Sequence, residues 1–200
     1  MTPAIKICGL SRLCDIDAVN DAKPEYIGFV FAESRRKVTP QLALDMRKKL
    51  SPDIIPVGVF VDDDPENIVS LAQRSIIDVI QLHGSENGEY IGRLKALTDK
   101  PVIKAVAVIN EGDAQKWAES PADYLLMDGE SGGKGKTFNW DLIGKVEKPF
   151  FLAGGLCPKN IGHALEKIKP FAVDVSSGVE TDGFKDPAKI REFIRMVRNG

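Results

Sequence analysis

Short runs of apolar, largely β-branched residues alternate with amphipathic stretches along the whole chain. The apolar runs fall at residues 5–8, 26–31, 55–61, 78–82, 102–106, 124–128, 150–153 and 172–175. Their length and composition predict eight strands. Segments of helical character lie between and after them, at residues 13–22, 42–50, 65–74, 89–97, 113–119, 140–146, 160–168 and 187–197. Most of the runs are apolar at successive positions rather than at every second one, as expected of parallel strands covered on both faces. Eight such strand-helix units predict an α/β fold of the closed (β/α)8 type, a TIM barrel, with an open doubly wound sheet as the structural competitor. No shift in composition, low-complexity run or linker interrupts the pattern, so residues 1–200 read as a single barrel domain. Such barrels usually run to about 250 residues, so this one requires short helices and loops.

Composition narrows the partners rather than the fold. With 43% hydrophobic and 28% charged residues, the chain fits neither a disordered nor a fibrous class. A formal net charge of -2 provides no broad basic face, which argues against nucleic acid and anionic membranes as partners. A local basic cluster remains compatible with a small anionic ligand. The three cysteines, Cys8, Cys14 and Cys157, are odd in number and form no close Cys-x-x-Cys pair, which suits a reduced, cytoplasmic setting. The first residues do not form a secretory signal, and no apolar run approaches the roughly 18 to 20 residues of a spanning helix.

Chemistry in a parallel barrel is expected at the C-terminal ends of the strands. Cys8 ends the first run and Asp128 the sixth. Strand alternation puts Lys6 on the same side as Cys8, and Tyr124 and Leu126 on the same side as Asp128. A thiol and a carboxyl would therefore converge if those sides face the axis. Taken alone, Cys8 reads equally as a small buried hydrophobe, and Asp128 before Gly129 as a turn former. Gly154 and Gly155 follow the seventh run, and Ser176 and Ser177 follow the eighth, the corner where barrels bind phosphate. Small residues there let backbone amides and hydroxyls approach an anion closely. Arg35 and Arg36, after the second run, overhang the same mouth; a guanidinium can grip a carboxylate, although a solvated basic turn has the same composition. His83 follows the fourth run and is placed to line the mouth. With two histidines in the chain and no carboxylates at ligand spacing beside them, no catalytic metal is expected.

In combination, Lys6-Ile7-Cys8-Gly9, Gly28-Phe29-Val30-Phe31, Val57-Gly58-Val59-Phe60, Gln81-Leu82-His83-Gly84, Gly135-Lys136-Thr137-Phe138, Leu152-Ala153-Gly154-Gly155-Leu156 and Asp174-Val175-Ser176-Ser177-Gly178-Val179-Glu180 resemble the phosphoribosylanthranilate isomerases of tryptophan biosynthesis. The likeness runs in order from Lys6 to Glu180. It implies a (β/α)8 isomerase that needs no cofactor and converts N-(5-phosphoribosyl)anthranilate to 1-(2-carboxyphenylamino)-1-deoxyribulose 5-phosphate.

Carried onto matching positions, the resemblance makes Cys8 the general base and Asp128 the general acid. It gives Arg36 to the anthranilate carboxylate, with Arg35 as the alternative because the loop before Val38-Thr39-Pro40 is shorter than the family pattern. Gly154, Gly155, Ser176 and Ser177 become phosphate ligands, with Gly135 in a loop closing beside them. Gly129 stands where a hydroxyl residue is expected. Such chemistry needs the acid to keep its proton and the thiol to lose one, and Lys6 beside Cys8 is expected to favour the thiolate. Two other readings remain: a dual-specificity isomerase of the histidine and tryptophan pathways, whose relatives are expected to use aspartate in place of Cys8, and a non-catalytic barrel that binds a phosphorylated metabolite. Either way the partner is a small phosphorylated molecule, and the assembly a monomer or a homodimer.

Overall fold

A computed structural model describes residues 2–129 and 137–199. Eight parallel strands close into a barrel in sequence order: β1 (Ala4–Cys8), β2 (Tyr26–Val30), β3 (Ile55–Phe60), β4 (Val79–Leu82), β5 (Val102–Ala107), β6 (Tyr124–Asp128), β7 (Phe150–Leu152) and β8 (Ala172–Val175). The seam is the pairing of β8 with β1, which sets Lys6 opposite Asp174 and Ile7 opposite Val175. The open-sheet alternative is thereby removed.

Six α-helices lie outside the barrel among the described residues: α1 (Leu13–Ala22), α2 (Pro40–Lys49), α3 (Pro65–Gln73), α4 (Gly88–Leu97), α5 (Ile161–Lys167) and α6 (Pro187–Asn199). Their starts follow from local chemistry. Thr39 accepts a hydrogen bond from the Leu42 N–H and Asp64 from the Glu66 N–H, each just before a proline that opens the helix, and Asn87 accepts from the Tyr90 N–H. In α6, Ile190, Phe193, Ile194 and Val197 recur at helical spacing and are buried.

The two remaining expected helices are not α-helices. Residues 113–119 make only a 3₁₀ turn at Gln115–Trp117, and residues 140–146 only one at Trp140–Ile143. Each is cut short by its own punctuation. Asp113 turns back to accept from the N–H groups of Ile109 and Asn110, and Pro121 follows closely. Gly144, at φ 61°, ends the second turn. A further element went unread in the sequence: β9 (Glu180–Thr181) and β10 (Phe184–Lys185) form a small antiparallel hairpin after β8.

Side-chain alternation divides the core in two. Ile5, Ile7, Ile80, Leu82, Leu125 and Met127 face the helices, while Val57, Val79, Ile103, Leu126, Phe151 and Ala172 fill the barrel. At the N-terminal end of the barrel, Phe151 packs edge-on to Tyr26, Tyr124 and Phe171 at ring separations of 5.5, 5.8 and 5.7 Å. This aromatic plug leaves room only at the opposite end, where the strand C-termini carry polar residues. One ionic group strengthens the rim behind the barrel wall. Lys104 Nζ, buried, donates to Glu86 Oε2 at 2.8 Å and to the Gly84 carbonyl at 2.6 Å, while Glu86 accepts from the N–H groups of Asp62 and Gly84.

Because Lys104→Met would leave Glu86 buried without its counter-ion, it should destabilise the fold by about 3–5 kcal/mol. The double variant Lys104→Met/Glu86→Gln should recover part of that loss, and urea unfolding of the three proteins measures both.

Candidate active site

The strand C-termini enclose a cavity of about 250 Å³. Cys8 lines it from β1 and Asp128 from β6, so the alternation read from the sequence does turn both inward. Arg36, His83, Gly154, Gly155, Ser176 and Ser177 line the same cavity, whereas Gly135 lies outside the described residues. Arg35 does not line it. An apolar wall not singled out in the sequence, Val30, Val59 and Val61, completes one side.

Cys8 Sγ has room because residue 28 is glycine: a Cβ there would sit 2.6 Å from the sulfur. Beside it runs an ion pair that no motif announced. Lys6 Nζ donates to Asp174 Oδ1 at 3.0 Å, with the lysine wholly buried and the aspartate lining the cavity. Burial works against the Lys6 charge, but Asp174 and Cys8 together outweigh it, and the ammonium is held above its ordinary range. The thiol does not follow the expectation drawn from Lys6. Burial pushes it up, Lys6 pulls it down by less, and Asp174 adds to the rise, so Cys8 is a protonated thiol at neutral pH in the empty cavity.

Asp128 Oδ1 accepts from the Gly129 N–H at 2.8 Å, and Oδ2 lies 3.5 Å from His83 Nε2. His83 Nδ1 in turn is 2.9 Å from Gln81 Nε2. Gly154 and Gly155 have φ 81° and 64°, a conformation side-chain-bearing residues resist, and a Cβ on Gly154 would stand 3.0 Å from Asp128 Oδ1. Two successive glycines are thus needed for the loop after β7 to pass this close to the carboxyl.

Across the seam, the Ser176 hydroxyl donates to the Cys8 carbonyl at 3.0 Å, tying the loop after β8 to β1. Behind it stands the second missed group. Lys185 Nζ, from the hairpin, donates to the Ser176 carbonyl at 3.0 Å and to Glu180 Oε1 at 2.6 Å. Glu180 also accepts from Arg36 Nε at 2.7 Å and Nη2 at 3.0 Å, and from Arg35 Nη2 at 2.6 Å. Arg36 and Lys185 hold the Glu180 carboxyl below its ordinary range despite its burial. The Arg36 side chain is 11% exposed and that of Arg35 56%, so only the former is presented to the cavity. Three cations around one carboxylate leave local positive charge at the mouth of a chain whose net charge is -2. Among the described residues, no group of three or more His, Cys, Asp or Glu side chains is gathered as for a metal ion, and no helix is long and apolar enough to cross a membrane.

Residues 5–196 match the family model described as N-(5'-phosphoribosyl)anthranilate (PRA) isomerase. An N-(5'-phosphoribosyl)anthranilate isomerase of Endomicrobium trichonymphae is 49% identical over 201 residues, covering 98% of this chain and 99% of that protein. Among solved structures, monomers generated from the dimeric isomerase of Thermotoga maritima superpose with a TM-score of 0.87 at 35% identity, covering 99% of this chain and 100% of that one. A phosphoribosyl anthranilate isomerase in complex with reduced 1-(o-carboxyphenylamino)-1-deoxyribulose 5-phosphate superposes with a TM-score of 0.85 at 33% identity and the same coverage.

Since Asp174 raises the Cys8 thiol, Asp174→Asn should lower it. Thiolate is the form that alkylates, so the midpoint of the rate of iodoacetamide labelling at Cys8 should move to lower pH. The measurement belongs in a Cys14→Ser/Cys157→Ser background, and an unmoved or higher midpoint would contradict the stated cause.

Proposed function

The chain belongs to the N-(5'-phosphoribosyl)anthranilate isomerase family of tryptophan biosynthesis, and from that premise we propose that its cavity carries out the family's rearrangement with Cys8 as general base and Asp128 as general acid. It is an isomerase. The observation that carries the assignment of roles is convergence: a thiol from β1 and a carboxyl from β6 open onto one cavity that also holds a cationic clamp and a small-residue corner. A non-catalytic barrel would need the corner but not the acid and base.

In this reading Asp128 passes its proton to the ribose ring oxygen. The bond from that oxygen to C1 breaks, and the nitrogen lone pair forms a protonated Schiff base. Cys8 then removes the C2 proton, giving an enolamine that tautomerises to the ketone. The thiol, held up by burial in the empty cavity, gives its own proton to solvent before it takes the C2 proton, a loss favoured by the positive charge of the Schiff base beside it. The base is thus formed where and when it is needed.

Arg36 takes the anthranilate carboxylate through the guanidinium edge left free by Glu180, with the ring against Val30, Val59 and Val61. The phosphate sits at the corner of Gly154, Gly155, Ser176 and Ser177. Because the Ser176 hydroxyl is committed to the Cys8 carbonyl, backbone N–H groups are the donors on offer there, with Lys185 adding charge from behind. His83 faces the reacting end of the substrate beside Asp128. Residues 1–200 act as one catalytic domain, without a cofactor, in the cytoplasm, as a monomer or as a homodimer of the kind named for the Thermotoga maritima relative.

Turnover is followed by the loss of anthranilate-type fluorescence. Cys8→Ala and Asp128→Asn should each lower it by about 10² to 10⁴, the usual worth of a positioned acid or base, without unfolding the protein. Near-wild-type turnover in either removes its role.

Arg36→Ala should weaken binding of the reduced product analogue by about 1.5 to 3 kcal/mol, and Arg35→Ala by less. Calorimetric titration of both variants checks the order, and its reversal would move the clamp to Arg35.

A further inference from the structure

Strand β4 ends Gln81-Leu82 and His83 follows it, and both Gln81 and His83 line the cavity. Gln81 Nε2 lies 2.9 Å from His83 Nδ1, while on the far side of the ring His83 Nε2 lies 3.5 Å from Asp128 Oδ2. A neutral imidazole has one N–H and one accepting nitrogen. The Gln81 amide presents its NH2 end to Nδ1, so Nδ1 is the acceptor and the N–H lies on Nε2, facing an Asp128 oxygen that can accept in the acid as in the carboxylate. An accepting Nδ1 is satisfied by the NH2 end of the Gln81 amide. The reversed amide would favour the other tautomer and set a lone pair of the ring against the carboxylate. Among the described residues Gln81, 1% exposed, meets no donor at Oε1, so its orientation is tied to the tautomer of the ring alone.

We propose that Gln81 is a positioning residue: it holds the His83 ring with its proton on Nε2, so that the ring donates to Asp128 as that acid becomes a carboxylate. The inference rests on Asp128 as the general acid. When its proton passes to the ribose ring oxygen and the bond from that oxygen to C1 breaks, Asp128 is left ionised. At 3.5 Å the contact with Nε2 is at the limit of hydrogen bonding, and it tightens as charge develops on Oδ2. An interaction that grows toward the transition state speeds the step rather than merely holding substrate. The other titratable groups on the cavity are Cys8 from β1, Glu33 and Arg36 from the loop after β2, and Asp174 from β8. None of them hydrogen-bonds the imidazole.

The test is nitrogen NMR of the full chain labelled with [15N]histidine, in which His83 and His163 are the two signals and His163→Gln assigns them. Two-bond proton–nitrogen correlations should show His83 with its proton on Nε2. In Gln81→Glu the new carboxylate can only accept, so a proton should appear on Nδ1; in Gln81→Met, of similar volume, the single tautomer should give way to a mixture. In both variants kcat should fall by about 10- to 100-fold while KM stays within about threefold. A wild-type ring protonated on Nδ1, a spectrum unmoved by both substitutions, or a moved spectrum with unchanged kcat would each overturn the proposal. Asp128→Asn separates the two readings. Its near-wild-type turnover would remove the acid assignment, whereas an inactive Asp128→Asn together with a His83 spectrum that Gln81→Glu and Gln81→Met leave unmoved would remove the role of Gln81 alone.

Discussion

The seam where β8 closes on β1 is the constraint from which the rest of the site hangs. Lys6 is wholly buried, so its charge must be met by a carboxylate, which Asp174 supplies from the adjoining strand. Removing either partner would strand a buried charge, so the pair specifies where the barrel closes as well as helping to close it. Two residues further along the same strands, Cys8 and Ser176 are joined by the serine hydroxyl, and Lys185 braces Ser176 from behind. Glu180 links that lysine to Arg36. Cys8, Ser176, Lys185, Glu180 and Arg36 therefore share one polar chain, anchored at a single junction.

This arrangement explains how a barrel of modest length carries a full site. Among the described residues the connections after β5 and β6, away from the seam, hold only 3₁₀ turns. On the other side, the hairpin of β9 and β10 brings Glu180 and Lys185 to the mouth. The aromatic plug at the opposite end fills the barrel with packed rings, so the barrel interior opens on the cavity at the strand C-termini, where Arg35, Arg36 and Lys185 surround Glu180.

The electrostatics of the empty site favour a neutral thiol at Cys8. Burial outweighs the pull of Lys6 there, and Asp174 adds to the rise.

What the sequence by itself determined was whatever depends on periodicity and on residue order. Eight apolar runs, continuous rather than alternating, specify buried parallel strands and hence the barrel, strand parity groups Lys6 with Cys8 and Leu126 with Asp128, and His83 follows the fourth run at the mouth. The glycine pair after β7 and the serine pair after β8 were legible because backbone conformation and close approach leave few residue choices. What only the tertiary structure decided was everything that arises between distant segments. Lys6 and Asp174 are 168 residues apart, and Arg36 and Glu180 are 144 apart, so no local pattern announces either pair. The choice of Arg36 over Arg35 follows from which side chain the fold buries. The sign of the Cys8 shift follows from a competition between desolvation and two opposed charges, and such a sum has no value until the distances exist.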